Sequence, residues 1–244
     1  MANVFVEEKY LQDIADAIRE KNGTETKYPP SEMSDAVRAI ENSGNTSFEL
    51  ARSIQDAFRD STFPSRTEII LKINQTDGKL YSNCCCYTFY RTSGIKSIKM
   101  SCRDKETPIN YSMFAQNCTD LEEVDLSDFN RNFSNSSYMF TYCKKLRKII
   151  GELDFSTLAA DGWGPFVGCE SLEEIRFKEK CLLKYNISFS KSALLSDESI
   201  QSIIEALGDL TGATALKLVL HSTVVSKLTE EQVAQIANKN WVIG

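Results

Sequence analysis

Four phenylalanines recur along the middle of this chain at nearly constant spacing, and this repeat constrains the fold more than any other feature. Phe89, Phe114, Phe140 and Phe166 are separated by 25, 26 and 26 residues. A period of this length is typical of units that cannot bury their apolar face alone and must stack on one another. The sequence therefore predicts an array of similar, stacked units.

Aliphatic residues repeat together with the phenylalanines and outline one strand in each unit. A first aliphatic residue stands six or seven positions after each phenylalanine, and a second follows three positions later. They are Ile95, Leu121, Leu146 and Leu172, and then Ile98, Val124, Ile149 and Ile175. Met100, Leu126 and Phe177 complete an L-x-x-L-x-L pattern, whereas the third unit has Gly151 at this place. Because side chains alternate between the faces of a strand, the spacing predicts short parallel strands with inward apolar residues.

Both ends of the chain carry the helical patterns that close such an array. Residues 11–18 and 31–40 each place apolar side chains on one helical face, and residues 42–45 are typical of a linker. Towards the C-terminus, Ser196 is placed to cap a helix that Gly208 ends, and Thr229 and Gln232 have the spacing of a capping box. In that last helix, Val233, Ile236 and Ala237 are expected to form the buried face.

These patterns give a complete expectation for the architecture. We expect an α/β fold: a leucine-rich-repeat solenoid with repeats of about 26 residues, short parallel strands and helical N- and C-terminal caps. Residues 1–44 form the N-terminal helical segment and residues 45–244 the solenoid. Within the solenoid, the repeats cover about 84–190 and the C-terminal cap about 191–244.

The chain has eight cysteines, and three of them follow the repeat. They are Cys84, Cys85, Cys86, Cys102, Cys118, Cys143, Cys169 and Cys181. No C-x-x-C pair occurs, which disfavours zinc-ribbon and thioredoxin-like sites. Cys118, Cys143 and Cys169 are predicted to form a ladder at the strand spacing of about 4.8 Å. Adjacent rungs could approach disulfide distance, but we interpret them as buried thiols because no export signal is recognisable in the first residues.

Composition excludes several classes of function. The net charge of −6 and the absence of a basic block disfavour nucleic acid and anionic membranes as partners. No apolar stretch is long enough to span a membrane. His221 is the only histidine, so paired-histidine zinc sites are impossible and Ser-His or Cys-His catalysis would depend on this residue. We expect no cofactor and no metal.

Acidic residues on the strands could in principle form a glycosidase site. Glu123 and Glu174 occupy the same place in different repeats, and Glu122 and Glu173 precede them. Basic and acidic residues share this face: Lys99, Asp125, Lys148, Arg176 and Lys178. This mixed sign favours a solvated strand face with ion pairs between neighbouring strands over a pair of catalytic carboxylates.

Aromatic residues in the turns are the candidates for ligand contact. Trp163 stands three residues before the phenylalanine of its repeat, and Tyr111 holds the same place in an earlier repeat. Tyr138 and Tyr142 lie in a turn between them. An exposed row of these rings could stack on sugars or anchor a protein partner, and the alternative is packing against neighbouring turns.

The repeat unit also resembles a known family. The unit Phe-x-x-Cys-x-x-Leu-x-x-Ile occurs over residues 140–149 and 166–175, and it resembles the BspA-like leucine-rich repeats of bacterial surface and phage proteins, over roughly residues 84–190. Residues 10–40 are similar to a leader of tail or baseplate-associated proteins of Gram-positive phages, and residues 228–241 to the end of repeat proteins from the same phages and gut Firmicutes. The resemblance implies protein or glycan binding, without catalysis.

Three functional hypotheses follow. The first is a phage or prophage structural protein, tail- or baseplate-associated, that contacts a host-surface protein or glycan and assembles with particle proteins or with copies of itself. The second is a bacterial surface or secreted adhesin, although the export signal and wall anchor of secreted family adhesins are not recognisable here. The third is a glycan-acting enzyme, for which no set of residues converges on a site.

Overall fold

The computed structural model describes Asp16 and residues 58–73, 85–102, 107–129, 132–156, 164–179 and 181–244. The expected N-terminal helical segment over residues 1–44 lies outside these residues, except for Asp16, which is helical. The strands are β1 Thr62–Ile73, β2 Ser93–Cys102, β3 Ile109–Asn110, β4 Glu123–Asp128, β5 Phe133–Asn135, β6 Lys148–Leu153, β7 Glu174–Phe177, β8 Ile187–Phe189, β9 Leu216–Leu220 and β10 Trp241–Ile243. The helices that follow β7 are α1 Asp197–Ala206, α2 Ser222–Val225 and α3 Glu230–Asn238.

The main sheet contains five parallel strands in the order β1-β2-β4-β6-β7. Ile98 lies beside Val124, and Val124 lies beside Ile149, so the aliphatic positions of successive repeats are neighbours in the sheet. These side chains are buried. The predicted α/β class with short parallel strands and inward aliphatic residues is therefore confirmed. Strand β1 begins at Thr62, and its register with β2 shifts between Thr62 and Glu68.

The phenylalanines that define the repeat form a continuous core beside these strands. Ring centroids of Phe89 and Phe114 are 5.4 Å apart, those of Phe114 and Phe140 are 6.0 Å apart, and those of Phe140 and Phe166 are 6.3 Å apart. All four rings are completely buried. Aromatic burial of this kind contributes both apolar area and ring-to-ring contact to stability.

Gly151, where the third repeat departs from the pattern, makes β6 irregular. Its φ is +99°, and a Cβ at this position would lie 3.1 Å from the backbone nitrogen of Ser127. The register with β7 shifts between Lys148 and Glu152, so that Leu153 lies beside Phe177. Leu153 is completely buried, and it therefore fills the core position that the glycine leaves empty.

Consecutive turns connect the strands and carry the repeating phenylalanines. We call them the turn ridge, which comprises residues 85–91, 112–117, 137–142 and 165–168. Within a turn, the N–H of Thr141 donates to Tyr138 and that of Cys143 donates to Phe140. The N–H groups that alternate with these two donate to the next repeat. That of Phe140 donates to the Pro165 carbonyl, and that of Tyr142 donates to the Val167 carbonyl. Successive turns are therefore hydrogen-bonded to one another as strands are in a sheet.

The C-terminal part contains a second parallel sheet, in the order β10-β9-β8, together with α1, α2 and α3. Ser196 caps α1, and Thr229 and Gln232 form the capping box of α3, as predicted. The predicted buried face of α3 is wrong in part, since Ile236 is buried but Val233 and Ala237 are exposed. Across the parts of the chain that the structure describes, no helix has the length and apolar character needed to span a membrane.

Candidate functional site

Ion pairs connect neighbouring repeats along the exposed face of the main sheet. Lys99 Nζ lies 2.7 Å from the Asp125 carboxylate. Lys148 Nζ lies 2.8 Å from that of Glu174. Arg147 holds Glu173 with two contacts, at 2.9 Å and 3.2 Å. The predicted pairing of charges between neighbouring strands is confirmed at these positions.

Asp120 and Asp125 each accept several hydrogen bonds in this network. Asp120 accepts from Lys145 Nζ at 2.9 Å and from the Gly94 N–H at 3.0 Å, and these two hydrogen bonds hold its pKa below the usual value. Burial alone would raise the pKa of Asp125, but hydrogen bonds from Lys99 and Ser127 outweigh it, so this pKa is lowered as well. Both carboxylates are therefore stabilised as structural anions.

The acidic pairs that could suggest a glycosidase belong to the same network. A depression of about 260 Å³ on the sheet face is lined by Glu122 and Glu123 together with Lys96, Arg147 and Lys148. Arg147 interacts electrostatically with Glu122, and Lys148 interacts with Glu123. This arrangement is typical of a solvated face in which opposite charges alternate from strand to strand.

The repeating cysteines are buried free thiols. Sγ of Cys118 donates to the Phe89 carbonyl at 2.6 Å, and Sγ of Cys143 donates to the Ala115 carbonyl at 2.9 Å. Cys169 continues the series by donating to the Phe140 carbonyl at 3.1 Å. All three are unpaired with another cysteine. Among the residues described, no group of histidine, cysteine, aspartate and glutamate side chains could hold a metal ion.

Two of the proposed aromatic contact residues lie on the surface of the turn ridge. Tyr142 is 48% exposed, and Tyr138 is partly exposed. Both have a left-handed backbone, with φ of 62° and 57°. A positive φ is uncommon for a non-glycine residue. In this protein the conformation recurs at equivalent places in successive turns. We call the series Asp60, Arg91, Asn117, Tyr142 and Gly168 the left-handed row.

The other two proposed contact residues are Tyr111 and Trp163. Tyr111 is completely buried, and its ring contacts Phe114, Phe129 and Phe133. Its ring therefore belongs to the core, and the interpretation of Tyr111 as a surface contact is corrected in favour of packing. Trp163 lies outside the described residues.

A group of exposed charged residues and partly exposed tyrosines at the first turns was missed at the sequence level. We call Arg59, Asp60, Tyr87, Tyr90 and Arg91 the guanidinium cluster. Cζ of Arg59 lies 5.3 Å from the ring centroid of Tyr87 and 5.5 Å from that of Tyr90. Cζ of Arg91 lies 5.9 Å from the Tyr90 centroid. Tyr87 stands 26 residues before Met113, and Met113 stands 25 residues before Tyr138. The repeat spacing alone could therefore have located Tyr87 in a turn.

The composition of the turn ridge differs sharply from that of the sheet face. At the surface of its four segments lie four tyrosines, Met113 and Arg91, and the segments contain no lysine, aspartate or glutamate. Tyrosine, methionine and arginine are enriched in protein interfaces, where lysine, glutamate and aspartate are depleted. On the sheet face, by contrast, Lys99, Arg147 and Lys148 already pair with carboxylates. The turn ridge is therefore the stronger candidate for ligand contact.

Comparison with known proteins adds no relative, because no family model, no curated protein and no solved structure matches this chain.

Proposed function

We propose that this chain is a non-catalytic binding protein: a capped leucine-rich-repeat solenoid whose turn ridge contacts a protein or a glycan on a host surface. The observation that carries the proposal is the exposure of Tyr138 and Tyr142 at repeated left-handed positions of the ridge. This backbone belongs to the turn, because Asn117 and Gly168 share it without a ring, and the turn therefore holds the two tyrosines at fixed places on the surface.

Regular stacking supports the solenoid. The strands of the main sheet follow chain order, and the turns between them are hydrogen-bonded to the next repeat. An array of this kind presents an extended surface with side chains at a fixed spacing. A rigid surface of this kind suits recognition, because its contacts need little ordering on binding.

The setting that we propose is a phage or prophage particle, with a tail or baseplate-associated role. This rests on the resemblance of the repeats to the BspA-like units and of both ends of the chain to phage proteins. A bacterial surface or secreted adhesin is the alternative, because it needs the same display surface. Co-sedimentation with induced phage particles supports the first setting, and cell-wall material without particles supports the second.

Binding of the labelled chain to intact Gram-positive cells tests the proposed contact surface. Flow cytometry is expected to show saturable binding that falls at least tenfold in Tyr138→Ala and in Tyr142→Ala, with melting temperatures unchanged. Val242→Ala is the matched control, since Val242 is 51% exposed in β10, away from the ridge. Normal binding by both aromatic variants would show that the ridge is not the contact surface.

A further inference from the structure

Two positive charges and one negative charge meet in the guanidinium cluster. Asp60 lies 3.5 Å from Nε of Arg59 and 3.5 Å from Nε of Arg91. The two arginine side chains are 47% and 63% exposed. With two cations and one anion, the cluster carries a net charge of +1 within a chain whose net charge is −6. It is therefore a local positive site on an acidic protein.

Both guanidinium groups keep donors that Asp60 does not use. An arginine has five N–H donors in a rigid fork, and one edge of this fork fits both oxygens of a carboxylate. The Asp60 contacts involve Nε of each arginine and are longer than the roughly 2.7–2.9 Å of a charge-assisted hydrogen bond. Asp60 is also the only ion-pair partner of Arg59 and Arg91 among the described residues. Their Nη groups can therefore receive a second carboxylate.

The two tyrosine rings fix the positions of these guanidinium groups. Tyr87 and Tyr90 meet edge to face, with centroids 5.7 Å apart, and Arg59 lies over both rings. Cation–π contacts of this kind restrict the arginine side chain before a ligand arrives. A restricted side chain loses less entropy on binding, which favours a site over a pair of freely moving surface arginines.

The same geometry distinguishes between a protein and a glycan as the ligand. A guanidinium lies over Tyr87 and two lie over Tyr90, so part of the ring surface that could stack on a sugar is already covered. Arginine and tyrosine together are among the side chains that dominate hot spots in protein interfaces. The observations therefore favour side-chain carboxylates of a protein over a stacked sugar.

We infer that the guanidinium cluster binds an acidic segment of a protein partner, with aspartate or glutamate carboxylates on the Nη edges of Arg59 and Arg91. The inference deepens the proposed function and rests on it, because it names the chemistry of the partner at the first turns of the ridge.

Titration of the full chain with a blocked peptide of eight glutamates tests this inference. NMR spectroscopy of the arginine Nε–H signals is expected to show saturable shifts for Arg59 and Arg91. The signal of Arg147, which is already held by Glu173, is expected to stay in place. Arg59→Ala/Arg91→Ala should weaken peptide binding at least tenfold. Lys217→Ala/Lys227→Ala, which removes two exposed positive charges elsewhere, should change it less than twofold.

Three results would overturn the inference. They are an absence of saturable shifts at Arg59 and Arg91, an equal loss in the lysine control, and tighter binding of an eight-residue oligogalacturonate than of the peptide. The last result would assign the site to a carboxylated glycan. Failure of the peptide titration while Tyr142→Ala still abolishes cell binding removes only this inference. Peptide binding together with normal cell binding by Tyr142→Ala removes only the proposed role of the ridge.

Discussion

The side chain of Tyr142 lies against the α-carbon of Gly168, its neighbour in the left-handed row. A Cβ at Gly168 would come 2.5 Å from Cδ1 and 3.0 Å from Cε1 of Tyr142. Gly168 also has a φ of +74°, which glycine adopts far more readily than other residues. The exposed ring that we assign to ligand contact is therefore positioned by the absence of a side chain in the next repeat.

Gly168→Ala should consequently destabilise the protein through two effects. Left-handed backbone at an alanine costs about 1–2 kcal/mol, and the new methyl group must displace Tyr142. Gly212→Ala isolates the first effect, since Gly212 has a φ of +80° and a Cβ there would meet nothing within 4 Å. Chemical denaturation should show a larger loss in the free energy of unfolding for Gly168→Ala than for Gly212→Ala.

Combining Gly168→Ala with Tyr142→Ala completes a double-mutant cycle. The additional loss in Gly168→Ala should disappear when the ring is absent, because the methyl group then has nothing to displace. Equal losses for the two glycine variants would mean that Tyr142 adjusts freely and that Gly168 does not position it.

Buried thiols of the repeat should resist alkylation in the native protein. Burial raises the pKa of Cys118 and of Cys169 to about 12, and the thiolate is the reactive form. A shift from 9 to 12 lowers the thiolate fraction at pH 8 by about a thousandfold. Mass spectrometry after iodoacetamide treatment should show Cys86 and Cys102, which are partly exposed, modified well before Cys118, Cys143 and Cys169.

Treatment in 6 M guanidinium chloride, where all cysteines are accessible, is the control for intrinsic reactivity. Rapid labelling of Cys143 under native conditions would contradict its place in the core. If the alkylation rate of the three repeat cysteines follows the global unfolding equilibrium, only unfolding exposes them.

Asp154 should make stability depend on pH in the acid range. Burial alone would raise the pKa of Asp154, but hydrogen bonds from Ser156 and Lys178 outweigh it and lower the pKa below its usual value. A carboxyl pKa that is lower in the folded than in the unfolded state stabilises the protein above about pH 4. This contribution is lost as the pH falls from there through the folded-state pKa.

Asp154→Asn should therefore destabilise the protein at pH 7 by about 1.5–3 kcal/mol, the range for hydrogen bonds to a charged group, and should reduce the loss of stability between pH 5 and pH 3. Lys178→Met provides the comparison. It removes the ion pair of a lysine that is 55% exposed, so its effect should stay near 0.2–1 kcal/mol. An unchanged pH profile in Asp154→Asn would show that other carboxylates control acid unfolding.

The core of the repeats could be predicted from the sequence because burial imposes a period. Positions such as Ile98, Val124 and Ile149 must all be apolar, and Leu153 illustrates the limit of that logic. It replaces the residue missing at Gly151 only because the backbone there shifts the register by two residues. A local backbone irregularity of this kind leaves little trace in a pattern of apolar residues.

The surface could be predicted less well, because spacing alone does not tell whether an aromatic side chain near a turn points inward or outward. Tyr111 directly precedes the turn at 112–117 and is buried, whereas Tyr142 ends the turn at 137–142 and is exposed. The backbone conformation of the left-handed row could not be predicted either, because arginine and tyrosine are not residue types that indicate a positive φ. The guanidinium cluster joins Asp60 to Arg91 over 31 residues, which is longer than the repeat period, so periodicity could not align them.

Two serine hydroxyl groups of α1 hydrogen-bond to the backbone at the last strand of the main sheet, and removing one of them gives a final prediction. Ser199 Oγ accepts from the Ile175 N–H at 3.0 Å and donates to the Glu173 carbonyl at 3.0 Å, and Ser202 Oγ accepts from the Phe177 N–H at 2.9 Å. Because β7 is the last strand of this sheet, these hydroxyls occupy the place of another strand. Ser199→Ala leaves a buried N–H without its partner, and this should cost about 1–3 kcal/mol in the free energy of unfolding.

Ser199→Thr keeps the hydroxyl and should recover part of this stability in the same denaturation experiment. Ser226→Ala removes an exposed hydroxyl in another helical turn, so its effect should stay within about 0.5 kcal/mol. If Ser199→Ala proves as stable as Ser226→Ala, the sheet does not depend on hydroxyl capping by α1, and packing of Ile200, Ile203 and Ile204 against the core is sufficient to hold that helix on β7.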